Sequence, residues 1–188
     1  MKYVEIMRPL SEFAETIFTP RIELRTLNVC RENAEMIYNA LDTSRDYIEA
    51  FQGFLEYIKS PDDVFDLMQK RNDQRATDKA ICYGIFRNSE FIGRIRFERT
   101  DADSGYVGYW QTQPASGNGY MSEALSALEQ ELFNFGFNKI IIEIDDGNTR
   151  SENLARRNGY EFLARRPMAS WAKCMGKCDE LVYVKYKK

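Results

Sequence analysis

Apolar positions along the chain change their spacing several times, and each change predicts a new element. Residues 21–25 alternate polar and apolar side chains, as a half-buried strand does. Residues 30–76 are mostly helical in pattern, and Ser60-Pro61-Asp62-Asp63 is a helix start, with a capping serine before proline and two acids. Segments 80–86, 91–98 and 106–111 are joined by turn sequences and predict an antiparallel meander.

The second half of the chain returns to helical spacing and then alternates between strands and one short helix. Apolar residues over 120–135 fall on one helical stripe, and Gly136 follows where a helix often stops. Residues 138–146, 160–165 and 181–186 are expected as strands, and 149–158 as a short helix. This order predicts an α+β (mixed α/β) fold with a central, mostly antiparallel mixed sheet of about seven strands flanked by helices. We expect an N-terminal extension over 1–20 and a single domain over 21–188.

Composition narrows the choice of partners and compartment. The chain has 188 residues and a net charge of −3, which argues against broad binding to nucleic acid or an anionic membrane. No apolar run approaches the ~20 residues that span a bilayer, and the first ten residues do not resemble a secretory signal. Four cysteines without a CxxC pair favour reduced thiols, so we expect a cytoplasmic protein without a metal site. A monomer and a homodimer are both compatible with the sequence.

The chain contains no histidine, which excludes Ser-His-Asp and Cys-His mechanisms. Any proton transfer must therefore use carboxylates, hydroxyls, thiols, amines or water.

One glycine-containing segment carries candidate chemistry. Residues 116–121 (Ser-Gly-Asn-Gly-Tyr-Met) lie between a predicted strand and a predicted helix. Glycine lets backbone N–H groups approach a ligand closely, and the first turn of a helix has free N–H groups that favour an anion. A pyrophosphate would suit this position, although a Gly-x-Gly before a helix is more often only a flexible turn.

The wider context resembles a known family. The stretches 108–110 (Gly-Tyr-Trp), 116–124 (SGNGYMSEA), 148–151 (Asn-Thr-Arg-Ser) and 158–160 (Asn-Gly-Tyr) occur in the order and spacing of the GNAT superfamily of acetyltransferases. Within that superfamily the chain looks most like the Rim-type branch, whose members acetylate the N-termini of ribosomal proteins. The resemblance covers roughly residues 20–187.

The resemblance implies a path for acetyl-CoA. The pantetheine arm would follow the end of the 106–111 strand, the pyrophosphate would sit on backbone N–H groups after it, and two further residues would lie near the pantetheine and the sulfur. The implied cofactor-binding residues are Trp110, Gln111, Thr112, Gly117, Asn118, Gly119, Tyr120, Met121, Asn148 and Ser151. Asn148 and Ser151 could alternatively be only capping residues of the next helix.

The chain departs from the family pattern at the general acid. Many members place a tyrosine where this chain has Ala155, and Ser116 and Met121 also replace the usual residue types. Ser151, or water, would then protonate the leaving thiolate. Glu98 is a candidate base, although it could be only a surface partner for Arg96 or Arg99. Tyr109 could direct a water, or pack within the sheet.

We therefore predict an N-acetyltransferase that moves the acetyl group of acetyl-CoA to a primary amine by direct attack in a ternary complex. A protein N-terminal α-amino group is one acceptor that fits this prediction. A small amine such as a polyamine or an antibiotic is an open alternative. A non-catalytic acyl-CoA-binding module is a further alternative, which the departures from the family pattern keep open.

Overall fold

Residues 8–188 are described by a computed structural model, and within this range eight strands form one sheet and five α-helices flank it. The strands are β1 (Thr16–Phe18), β2 (Glu23–Arg25), β3 (Ala80–Arg87), β4 (Glu90–Arg99), β5 (Ser104–Gln111), β6 (Lys139–Asp145), β7 (Glu161–Ala172) and β8 (Gly176–Tyr186). The helices are α1 (Arg31–Thr43), α2 (Arg45–Glu49), α3 (Pro61–Ala76), α4 (Tyr120–Phe135) and α5 (Thr149–Arg157), with short 3-10 helices at Leu10–Glu12 and Gly53–Tyr57.

The strand order across the sheet is β1-β2-β3-β4-β5-β6-β8-β7, and every neighbouring pair is antiparallel except β5 and β6. This confirms the predicted α+β class with a mostly antiparallel mixed sheet. The helix α3 begins as predicted, because Ser60 and Asp63 form a reciprocal capping box.

The parallel pair at the centre of the sheet is short. β5 and β6 pair only at Ser104, Gly105 and Tyr106, whose partners are residues 139–141. Beyond Tyr106 the two strands separate, although β5 remains paired to β4 up to Gln111 and β6 to β8 up to Asp145. The sheet is therefore split at one end while its two halves stay intact.

Two apolar cores cover the opposite faces of the sheet. On one face α4 packs its stripe of Met121, Ala124, Leu125, Leu128 and Leu132 against strand residues such as Ile81, Tyr83 and Ile85. On the other face α1 and α3 cover Phe86, Phe91 and Trp110. Alternation along β3 and β4 sends successive side chains to different cores, which fixes the register of the meander.

The segment expected to be an extension contributes to the first of these cores. Leu10, Phe13 and Ile17 are buried in it, and β1 adds a strand at the edge of the sheet beside β2. The Tyr83 hydroxyl donates a hydrogen bond to the carbonyl of Ala14, which ties the segment to β3. The sheet thus has eight strands rather than the seven expected, because a three-residue strand leaves too short a pattern to recognise.

The C-terminal hairpin is also longer than its sequence suggests. The sequence predicts strands only over 160–165 and 181–186, yet β7 continues to Ala172 and β8 begins at Gly176. The pairing is interrupted between Arg166 and Ser170, where Pro167 lies and Met168 has a positive φ of 52°. That interruption explains why the sequence shows no continuous strand pattern here. Arg166 pairs with Glu143 on β6 and with Glu180 on β8.

Among residues 8–188 no helix combines the length and the apolar character needed to cross a membrane.

The buried role of the N-terminal segment leads to a stability prediction. Phe13→Ala is expected to lower the free energy of unfolding by about 3–5 kcal/mol, because it removes a buried aromatic ring that also packs on Phe135. Urea unfolding followed by circular dichroism measures the change. Phe18→Ala in β1 is the matched control: Phe18 is 75% exposed, so its loss should change stability by about 0.5 kcal/mol or less. Equal effects of the two variants would contradict the placement of this segment in the core.

Candidate functional site

A cavity of about 820 Å³ opens where β5 and β6 separate. The end of β5, the loop before α4, the first turns of α4 and α5, and part of α2 form its walls. The cavity thus joins the predicted phosphate-binding segment to the end of the split sheet. The predicted residues that line it are Tyr109, Trp110, Gln111, Gly117, Gly119, Met121, Asn148 and Ser151.

The loop before α4 presents a row of free backbone donors. The N–H groups of residues 117–122 donate none of the hydrogen bonds found within residues 8–188, and the first helical bond of α4 starts at Glu123. Gly117 and Gly119 have φ of +81° and +80°, and this left-handed conformation is easy only for glycine. Asn118 and Tyr120 lie in this row by their backbone, while their side chains do not line the cavity. Such a row at a helix N-terminus is suited to an anion.

One carboxylate lies close to this row, and hydrogen-bond donors balance its negative charge. Glu123 in the first turn of α4 accepts hydrogen bonds from the Thr19 hydroxyl and from the backbone and side chain of Arg21. Partial burial alone would raise the pKa of the Glu123 carboxyl, but these hydrogen bonds outweigh burial and lower the pKa overall. Arg21 also donates to the Asn118 carbonyl, so it braces the loop. We call these contacts of Glu123 with Thr19 and Arg21 the Glu123 clamp. Because the clamp balances the carboxylate charge, Glu123 does not repel an anion from the start of α4.

The end of β5 offers backbone groups to the opening. The Thr112 N–H donates to Ile92 on β4, so alternation turns the backbone groups of Tyr109 and Gln111 toward the gap. The Tyr109 carbonyl accepts a hydrogen bond from the Gln52 side chain at 3.3 Å. Thr112, predicted to bind the cofactor, is buried, does not line the cavity and has its N–H engaged. That prediction is corrected: the strand end that faces the cavity stops at Gln111.

Trp110 lines the cavity and also belongs to the apolar core under α1 and α3. Its ring packs edge-on against Phe91 with centroids 5.8 Å apart, and its exposed fraction is small. The indole N–H has no hydrogen-bond partner among residues 8–188, nor does the side-chain carbonyl of Gln111. A ligand with amide groups would bring donors and acceptors to this part of the wall.

Two predicted catalytic residues meet across the split. The Tyr109 hydroxyl on β5 and the Ser151 hydroxyl in the first turn of α5 are 2.7 Å apart and share a hydrogen bond. Burial raises the pKa of Tyr109 to about 12, even though the bond to Ser151 acts in the opposite direction. The phenol therefore stays protonated at neutral pH and can supply a hydrogen bond, or a proton, to Ser151.

Asn148 acts as the helix cap of α5. Its side-chain oxygen accepts a hydrogen bond from the Ser151 N–H at 3.2 Å, which is the capping alternative that the sequence left open. Because Asn148 also lines the cavity, this cap fixes the position of the Ser151 hydroxyl. A contact from Asn148 to a cofactor stays a prediction.

Glu98, the candidate base, lies away from the cavity. Its register partner is Tyr106, where β5 and β6 are still paired, so Glu98 sits at the closed end of the split. The carboxylate instead pairs with Arg96 at 2.5 Å. The expectation failed because the sequence showed only that Glu98 ends a strand, not which end of the sheet opens. Ala155, at the position of the usual tyrosine acid, is fully buried in the core.

Further residues outside the predicted site also line the walls, among them Tyr47, Gln52, Arg150 and Arg157. Tyr47 and Gln52 enter from α2 and the turn after it, and the Tyr47 hydroxyl donates to Ser116 at 2.6 Å. Arg150 stacks over the Tyr47 ring at 3.9 Å, and Arg157 lines the cavity one helical turn after Asn153. Arg150 could have been found from its position beside Ser151. Gln52 carries no local signal, because it reaches the cavity only through tertiary packing.

Within residues 8–188 no group of three or more Cys, Asp or Glu side chains is placed to hold a metal ion.

Comparison with known proteins places this geometry in a family. A sequence-family model described as "Acetyltransferase (GNAT) domain" matches residues 21–161, about three quarters of the chain. The match includes β5, the loop before α4 and α5, which together form most of the cavity.

Individual relatives agree with the family match. The ribosomal-protein-serine acetyltransferase of Escherichia coli (strain K12) is 24% identical over 135 residues, which cover 70% of this chain and 75% of that protein. The structure of RimL, a ribosomal L7/L12 α-N-protein acetyltransferase in complex with coenzyme A, superposes with a TM-score of 0.86 at 21% identity, covering 92% of this chain and 98% of that one. The microcin C7 self-immunity acetyltransferase MccE, in complex with acetyl-CoA and AMP, superposes with a TM-score of 0.83 at 19% identity, covering 90% and 94%. These superpositions confirm the fold.

The left-handed glycine before α4 gives a testable consequence. Gly119→Ala is expected to lower the free energy of unfolding by about 1–2 kcal/mol, because an alanine at φ +80° is strained and its Cβ would meet the Arg21 guanidinium at 3.4 Å. Chemical denaturation measures the effect. Gly53→Ala is the control, since no atom lies within 4 Å of a Cβ there and its φ is not positive. A stability loss as large in Gly53→Ala would argue against conformational strain as the cause.

Proposed function

Because the chain belongs to the family of acetyltransferases with a GNAT domain, we propose that it transfers the acetyl group of acetyl-CoA to the α-amino group of a protein N-terminus. The amine attacks the thioester directly, with both substrates bound. The observation that carries the proposal is the shape of one cavity: free N–H groups of residues 117–122 lie at one side and the Tyr109–Ser151 hydroxyl pair at the other.

The substrate acetyl-CoA fits this arrangement at two places. Its pyrophosphate would accept hydrogen bonds from the backbone of residues 117–122, with the positive end of α4 behind them. Its pantetheine arm would run along the unpaired edge of β5, where the backbone of Tyr109 and Gln111 faces the gap. Bound this way, the arm takes the place that a paired strand would have in a continuous sheet.

The chemistry needs one proton donor and one polarising group. The amine nitrogen forms a bond to the acetyl carbon, the carbon–sulfur bond breaks, and the Ser151 hydroxyl gives its proton to the leaving thiolate. The Tyr109 hydroxyl, 2.7 Å from Ser151, donates a hydrogen bond to the serine oxygen that has lost its proton, or returns a proton to it. A backbone N–H at Tyr109 or Gln111 polarises the thioester carbonyl, and the proton lost by the amine goes to solvent.

The choice of an α-amino group follows from the shortage of bases in the cavity. Among the residues that line the cavity, Glu123 is the one carboxylate, and Thr19 and Arg21 occupy it. An α-amino group has an ordinary pKa near 8 and is substantially neutral at physiological pH, whereas a lysine amine near ~10.4 needs a base. The E. coli relative is named as acting on a ribosomal-protein serine, which supports the same class of acceptor.

We also place the protein in the cytoplasm. Cys30, Cys82, Cys174 and Cys178 are all free thiols, which suits a reducing compartment. Its partners in this proposal are acetyl-CoA and a protein N-terminus.

Loss of the proton donor should affect turnover and spare binding. Ser151→Ala is expected to lower kcat about 10²-fold with little change in acetyl-CoA affinity, because the backbone donors of residues 117–122 are untouched. Tyr109→Phe should lower kcat less, since the serine proton remains. Thiol release measures turnover and isothermal titration measures binding. Tyr106→Phe, on the same strand outside the cavity, is the matched control and should retain full activity. Unchanged kcat in Ser151→Ala would refute its role as the acid.

The pH dependence should report the acceptor rather than the acid. We expect kcat/KM for an N-terminal peptide to rise as its α-amino group deprotonates near pH ~8 and then to stay level. The level region follows because burial raises the pKa of Tyr109 to about 12, so the phenol keeps its proton throughout the accessible range. A fall in activity between pH ~8 and ~10, absent in Tyr109→Phe, would show that the phenol titrates earlier than its burial implies.

The acceptor class is tested by competition among amines. Peptides with a free α-amino group are compared with the same peptides N-terminally blocked but carrying a lysine, and with spermidine and an aminoglycoside. Acetylation of the free α-amino peptides alone supports the proposal. Preference for a small amine would replace it with a small-molecule acetyltransferase, and acetyl-CoA binding without turnover on any amine would replace it with a binding module.

A further inference from the structure

A second cavity of about 540 Å³ lies on the sheet face covered by α1 and α3. Its floor is formed by the middle of β3 and β4, at Cys82, Gly84 and Arg94, and its walls by α3 and the segment between β2 and α1. None of the residues that line it belongs to the lining of the first cavity. It is therefore a separate feature of the molecule.

Arg94 is a buried cation that has no partner among residues 8–188. The residue is only 7% exposed, yet its guanidinium makes no hydrogen bond or ion pair with any of these residues. Arg94 lines the second cavity, so within the described part of the chain its charge faces that cavity rather than a carboxylate.

A second arginine is in nearly the same state. Arg71 of α3 lines the cavity, and its one polar contact with residues 8–188 is a weak one, 4.0 Å to the Cys82 sulfur. Burial, together with the adjacent Arg94, lowers the pKa of Arg71 to about 10, so the group is still charged at neutral pH. Two like charges that face the same space raise each other's energy unless an anion lies between them.

The rest of the lining does not neutralise these charges. Arg75 adds a third guanidinium, and it forms no ion pair among residues 8–188. Among residues 8–188, Glu15 is the one carboxylate that lines the cavity, and it is exposed and forms no ion pair with an arginine of this range. By contrast, Arg25 on β2 and Arg96 and Arg99 on β4 each pair with a carboxylate. The cavity thus differs from its surroundings by a positive charge that the described protein leaves unmatched.

We propose that this second cavity binds a small multivalent oxyanion, a phosphate compound or a polycarboxylate, held between Arg94 and Arg71. Guanidinium groups present paired donors that match the oxygen atoms of both kinds of anion. The side-chain amides of Gln69 and Asn72 on α3 line the same space and can complete the hydrogen bonds. The bound anion would remove the cost of a buried charge, which is what gives the site its affinity.

The site is independent of acetyl-CoA. Arg94 on β4 and Trp110 on β5 are cross-strand partners, yet the lining of the second cavity shares no residue with that of the first. The free backbone donors of residues 117–122 belong to the first cavity, and the second offers side-chain cations instead. This inference therefore stands whether or not the proposed acetyl transfer is correct.

The proposal is tested on the full chain with two anions, pyrophosphate and citrate. Thermal unfolding and titration calorimetry measure their binding, and sodium chloride keeps the ionic strength constant. Each titration is run with and without saturating CoA, so that pyrophosphate on the α4 backbone is blocked in one arm. At about a hundredfold excess over Kd, at least one anion should raise the wild-type Tm by on the order of 5 °C in the CoA-saturated arm. The anion that binds more tightly identifies the source as phosphate or carboxylate.

Arg94→Met removes the charge and keeps most of the side-chain volume. It should weaken anion binding at least about tenfold, and should leave the anion-free Tm equal to or above that of the wild type, because an unpaired buried charge is lost. Arg94→Lys keeps the charge and should bind with intermediate affinity. Arg31→Met is the matched control, since Arg31 is exposed and pairs with Asp62 away from the cavity. Arg71→Met gives a second reading if Arg94→Met does not fold.

Several results would overturn the proposal. If neither anion raised the Tm more than sodium chloride does at the same ionic strength, the cavity would hold no anion site. Equal shifts in wild type and Arg94→Met, or shifts that vanish when CoA is present, would place the anion elsewhere. A sharp loss of stability in anion-free Arg94→Met, with unchanged anion binding, would make Arg94 a structural residue only.

Discussion

The loss of pairing between β5 and β6 after Tyr106 is the constraint on which the rest of the site depends. A sheet interior normally satisfies every backbone group by pairing, so two strands that separate leave donors and acceptors facing a gap. Here each strand keeps its outer neighbour, which holds the two halves rigid. The gap is then a fixed slot rather than a frayed edge, and α4 begins directly beside it.

The two cavities handle negative charge by different physical means. The first offers neutral N–H groups and the partial charge of a helix end, so it is stable when empty and costs little to keep open. The second concentrates full charges on two largely buried side chains, so its empty state is unfavourable. A backbone site tolerates exchange of its ligand in every catalytic cycle, whereas a site built from buried guanidinium groups suits a ligand that stays.

The sequence was informative where a local pattern determines local structure. The apolar stripe of α4, the Ser60 cap of α3 and the strand–glycine–helix order around residue 117 were each readable because neighbouring residues decide them. The gap itself, the position of Glu98 at its closed end and the approach of Gln52 to Tyr109 depend on register and packing between distant segments. Thr112 was assigned one residue too far because a strand end can be located only to within a residue or two from its pattern. The strand β1 was missed because three residues are too few to show a period.

The Glu123 clamp has a consequence for how the chain can be shortened. The family match begins at residue 21, and a domain defined by that match would omit Thr19 and the strand before it. Glu123 would then lose its hydroxyl donor, and the position of Arg21 would no longer be fixed by the β1–β2 turn. A carboxylate less well balanced, in the first turn of α4, would repel the phosphates that we propose bind at this helix start. We therefore expect the domain to need residues before the start of the family match, because Thr19 contacts Glu123 at the beginning of α4.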